Sequence, residues 1–96
     1  MIERLEEVQK KYNEIKEELV KPEVLNDYNK LKTLSKEQSD LEEIVTTYEE
    51  YKKVQEEIIS NKELLNDKDL GEMAQMELYS LKEKEEELNN KLEILL

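Results

Sequence analysis

Carboxylates in pairs are the first residues in this sequence that could do chemistry: Glu6-Glu7, Glu17-Glu18, Glu42-Glu43, Glu49-Glu50, Glu56-Glu57 and Glu85-Glu86-Glu87. Two acids can divide general-acid and general-base work, but only where a pocket drives their pKa values apart. Neighbouring glutamates on an amphipathic helix point to solvent instead, and that reading fits all six sets. The sequence contains no His, Cys or Trp. Thiolate or imidazole zinc sites, cysteine nucleophiles and histidine-based triads are therefore excluded. A carboxylate di-metal bundle needs Glu-x-x-His pairs and is excluded as well. A single glycine cannot build a phosphate-cradling loop. One arginine, Arg4, argues against a small helical mutase that would hold a dicarboxylate on several cations. No catalytic residue, metal site or cofactor is expected.

Tyrosine and lysine could do other things. Tyr12, Tyr48 and Tyr51 lie in register with an apolar stripe, so packing is expected of them rather than base stacking. Met73 and Met76 read as core and near-core filler. Lys30, Lys32 and Lys36 form a weak candidate RNA contact, although Lys30 and Lys36 do not share a face well with Lys32. The loop residues Asn66, Asp67, Lys68, Asp69 and Gly71 form a candidate partner-binding tip, because loops on rigid elements tolerate exposed polar backbone.

The elements that position these residues follow from periodicity. Apolar groups at Ile2, Leu5, Val8, Tyr12, Ile15 and Leu19 step by three and four, which is one stripe of a helix. Pro22 should stop it near Val20 and could open a single helical turn. Asn26 or Asp27 is a suitable cap for the next long helix. The stripe resumes at Tyr28 and runs through Leu31, Leu34, Leu41, Ile44, Tyr48, Tyr51, Val54 and Ile58 to Leu64 and Leu65. Ser39-Asp40-Leu41-Glu42 could form a capping box and a kink within it, as Asp69 with Glu72 could after the next break. A third stripe takes in Leu70, Met73, Ala74, Leu78, Leu81, Leu88, Leu92 and Leu95. The expected fold is thus all-α: an elongated antiparallel three-helix, coiled-coil-like arrangement with one long central helix, the helices lying near 2–20, 28–65 and 70–95 of a single domain spanning 1–96. More than about 80% helix is expected, far above the usual third.

Twenty-six acidic against 15 basic side chains give a net charge of -11, and charged residues make up 43% of the 96. This composition is that of long helices. It opposes nucleic-acid binding, which needs a basic surface. The balance is uneven: residues 21–36 carry +2, whereas 37–66 carry -6 and 67–96 carry -5. No apolar run is long enough to span a membrane, the charged N-terminus is unlike a signal peptide, and the absence of cysteine fits a cytoplasmic location. The uncapped close, Leu92-Glu93-Ile94-Leu95-Leu96, suggests a piece of a longer protein. Apolar flanks at Leu31, Leu34, Leu64 and Leu65 suggest that the isolated chain forms a homodimer.

Four strings go beyond generic helix: Pro22-Glu23-Val24-Leu25-Asn26-Asp27, Leu34 to Glu42, Tyr51 to Ile58, and Glu72-Met73-Ala74-Gln75-Met76-Glu77-Leu78. In this order and spacing the chain resembles the N-terminal helical domain of the bacterial peptide chain release factor 1 family. Tyr28 departs from it, since many members carry proline after that Asn-Asp. The resemblance implies an accessory domain of a translation termination factor that directs release at UAA and UAG. It also implies partners: the GTPase-associated centre of the large ribosomal subunit and the GTPase-type release factor. The family's catalytic Gly-Gly-Gln and its codon-reading Pro-x-Thr are both absent from these 96 residues, so no residue of those sites carries over. The alternative is a self-associating helical hairpin without a role in termination.

Overall fold

The computed structural model describes residues 1–96, of which 85% are helical, with no strand. Four helices follow one another: α1 (Ile2–Glu18), α2 (Pro22–Leu25), α3 (Tyr28–Glu63) and α4 (Gly71–Leu95). The three expected long helices are present, and the single turn at Pro22 is a separate helix. The chain divides into two compact units, Met1–Thr46 and Thr47–Leu96, with the boundary inside α3.

In the first unit, α1 stops at Glu18, two residues short of the expected end. Lys21 is extended, with φ -77° and ψ 137°, as the residue before a proline must be. The chain therefore has to leave helical geometry a turn before Pro22. Lys21 donates to the Glu18 carboxylate, which raises its ammonium above the usual 10.5. Pro22 occupies the first turn of α2, where its missing N–H costs nothing. Val24 is buried, with Leu5, Ile15 and Val45. Asp27 caps α3, its Oδ1 accepting from the Lys30 N–H at 3.2 Å. The Tyr12 hydroxyl donates to Glu42 at 2.6 Å, tying α1 to α3.

In the second unit, α3 and α4 run antiparallel. Glu50 and Lys84 lie the same number of residues before and after Asp67, and their charged groups meet at 3.5 Å. Tyr48, Tyr51, Val54 and Ile58 of α3 are buried, as are Ala74, Leu78, Leu81, Leu88 and Leu92 of α4. Successive members of each set are three, four or seven residues apart, which keeps each set on one helical face. Lys52 covers the Tyr48 ring at 4.4 Å. Burial raises the Tyr51 hydroxyl above its usual 10.0, and the charge of Glu85 adds to this.

The interruption expected within α3 is absent. α3 is one helix through Ser35, Gln38 and Ser39, so Ser39 caps nothing. Isolated serines cost a helix only a few tenths of a kcal/mol each, too little to break a segment with apolar residues on both sides. The helix ends at Glu63 rather than Leu65. Leu64 and Leu65 belong to the turn and are exposed, 37% and 41%. No helix is long and apolar enough to cross a membrane.

Candidate functional site: the α3–α4 tip

The turn between α3 and α4 is held by one side chain. Asp67 Oδ1 accepts from the backbone N–H groups of Asp69 at 2.8 Å and Leu70 at 2.9 Å. This replaces the capping box expected from Asp69 and Glu72: the N-cap position of α4 is Leu70, which makes no side-chain cap. A carboxylate two residues earlier fills the role, because an aspartate readily bonds its own backbone two and three residues on.

Gly71 closes the turn. It is buried, and a Cβ placed there would stand 2.6 Å from the Leu65 carbonyl oxygen. The glycine is required for this close approach, not for an unusual φ, since no glycine has positive φ. Of the five residues expected to form the tip, Asn66, Asp67, Lys68 and Asp69 are exposed and adjacent, whereas Gly71 faces inward. Asp67 combines exposure with a structural bond.

Met73 and Met76 are not filler. They are 70% and 74% exposed. The inward face of α4 is fixed by Ala74, Leu78, Leu81, Leu88 and Leu92, and Met73, one residue before Ala74, is turned about 100° away from it. The sequence held this signal. Leu70, Met73, Met76 and Tyr79 are three apart throughout, and a strict three-residue step drifts about 60° around the helix each time. Such a row cannot stay on one buried face. Leu70 and Tyr79 are also exposed, 45% and 72%.

Two neighbouring depressions, sharing Met73 and Glu77, lie along this tip. One, of about 190 Å³, lies between Asn61 and Leu64 on the α3 side and Leu70, Met73 and Glu77 on the α4 side. The other, of about 320 Å³, is bounded by Met73, Met76, Glu77 and Ser80. Both are open to solvent.

The candidate RNA-contact residues Lys30, Lys32 and Lys36 are all exposed on the first turns of α3. Lys30 borders a shallow depression with Asn29, Thr33 and Leu34. Lys32 and Lys36, four apart, share a face that Lys30 does not.

Comparison with known proteins places this architecture. The PCRF domain family matches residues 8–96. Over 99 aligned residues covering the whole chain, the sequence is 48% identical to peptide chain release factor 1 of Geobacillus sp. (strain WCH70). It is 46% identical to that of Geobacillus kaustophilus (strain HTA426) and 46% identical to that of Clostridium botulinum (strain 657 / Type Ba4). The chain spans 28% of the length of each of these relatives. No solved structure matches it. The chain belongs to the PCRF domain family and is similar throughout its length to the N-terminal part of bacterial peptide chain release factor 1.

Proposed function

We propose that the chain is the N-terminal accessory domain of a cytoplasmic translation termination factor that directs peptide release at UAA and UAG codons. It works by association with the ribosome, not by chemistry. The observation that carries this reading is the 48% identity over the full chain to a peptide chain release factor 1. Its partners are the GTPase-associated centre of the large subunit and the GTPase-type release factor. The contact is made by the exposed residues Asn66, Asp67, Lys68 and Asp69, with Gly71 shaping the turn behind them. An acidic tip suits a basic protein surface, and such complementarity sets on-rate and orientation more than affinity. Lys30, Lys32 and Lys36, in the one basic stretch, are the surface suited to ribosomal RNA.

Charge reversal in the full-length factor tests this assignment. Asp67 must be kept, since it caps the turn, so the acidic variant is Asp69→Lys with Glu77→Lys. Its comparison is Lys30→Glu with Lys32→Glu. The acidic-tip variant is expected to associate with and recycle from ribosomes more slowly, with the loss growing as salt is lowered. Wild-type behaviour of that variant alongside failure of the lysine variant would assign the contact to the lysines of the first unit instead.

A further inference from the structure

The exposed thioethers of Met73 and Met76 have no structural task in this chain, and they stand beside the tip proposed above for protein contact. With Leu64 and Leu70 they line the two neighbouring depressions. Methionine is flexible and polarizable, so a methionine-lined groove can mould itself to an apolar side chain that it does not match in advance. Large apolar residues grouped on a surface mark an interaction site more often than scattered ones do. The charge around the groove is one-sided. Between residues 63 and 80, Glu63, Asp67, Asp69, Glu72 and Glu77 are opposed only by Lys68.

We infer that this groove receives a cationic amphipathic helix from a partner protein. Apolar side chains of that helix, spaced three and four apart, would rest on Leu70, Met73 and Met76. Lysine or arginine on its flanks would face Asp69, Glu72 and Glu77. This is the helix-in-groove mode of recognition. The charge selects the occupant. A second copy of this chain would bring a further net charge of -11 and a nucleic acid its phosphates, so both are disfavoured at this acidic groove. The inference rests on the ribosome-contact reading for its location and narrows that reading to a kind of partner.

The test uses the 96-residue chain with carbon-13 in its methionine methyl groups, which gives three probes: Met1, Met73 and Met76. The ligand is a synthetic peptide of leucine and lysine in helical spacing, roughly four turns long. A leucine–glutamate peptide of the same pattern is the control. The lysine peptide is expected to shift the Met73 and Met76 signals and leave Met1 unmoved, while the glutamate peptide shifts none. Met73→Gln with Met76→Gln should weaken lysine-peptide binding at least about tenfold, equal to 1.4 kcal/mol, with an unchanged circular dichroism spectrum because both positions are exposed. Three results would overturn the inference: equal binding of both peptides, full-strength binding by the glutamine variant, or Met73 and Met76 shifts that track chain concentration without peptide. The last would name a second copy as the occupant. Ribosome association of the full-length factor carrying the same two glutamines separates the two readings. If it is retained and the peptide experiment fails, the groove inference falls and the accessory-domain reading stands.

Discussion

At the residue scale, two residues set the α3–α4 tip and its core, and each makes a distinct forecast. Gly71 sits where a Cβ would stand 2.6 Å from a backbone oxygen, and neither atom belongs to a flexible side chain. Gly71→Ala should therefore cost about 1–3 kcal/mol, although alanine is the better helix former. Thermal unfolding should show a drop of at least about 4 °C; an unchanged or raised midpoint would mean that the turn relaxes freely. Tyr51 forecasts the alkaline limb of stability. Its hydroxyl is neutral when protonated, and burial first, then Glu85, keeps it so beyond the usual 10.0. The folded chain thus holds this proton where the unfolded chain gives it up. The resulting stability is complete below pH 10 and declines as pH rises through the folded value. Denaturant titrations above pH 10 should show Tyr51→Phe losing less stability with rising pH than the parent chain does. Parallel curves would deny Tyr51 that part.

The element scale shows what periodicity can and cannot say. The long helices, the proline stop and the cap at Asp27 are legible, because each depends on local steric rules or on one repeating face. The details of the tip are not. Asp69 and Glu72 match a capping box in sequence as well as Asp67 matches an aspartate turn, and only the path of the backbone, drawn tight against Gly71, decides between them. Met73 reads as core because a methionine near a leucine stripe looks buried until its angle to Ala74 and Leu78 is measured. Leu64 and Leu65 continue the α3 spacing but fall beyond the last helical turn. These assignments separate in mutants. Asp67→Ala should destabilise by about 1 kcal/mol and Asp69→Ala hardly at all, as read from urea unfolding midpoints. The opposite ranking would restore the box. For α3, Ser39→Ala should stabilise by a few tenths of a kcal/mol, because alanine is the better residue inside a helix. A loss near 1 kcal/mol would instead reveal a cap at Ser39 and a break in the helix.

At the scale of the whole molecule, the sequence excludes chemistries more firmly than it names a role. Missing side-chain types remove whole reaction classes at once, whereas a charge of -11 on helices describes many proteins. The role rests on kinship with release factors together with an acidic tip flanked by exposed methionines. On the function proposed above, labour is divided within the full-length factor: residues 1–96 would serve its association with the ribosome, and residues elsewhere would perform release. The most direct test is single-turnover peptide release from stop-programmed ribosomes by the parent factor with and without residues 1–96, read at saturating factor and again in the presence of the GTPase-type release factor. The expected result is a saturated release rate within about twofold of the intact factor, since no transition-state contact is removed, together with loss of the acceleration that the GTPase gives to recycling. A collapse of the saturated release rate in a folded, ribosome-bound truncated factor, or a recycling acceleration that survives the truncation, would contradict it.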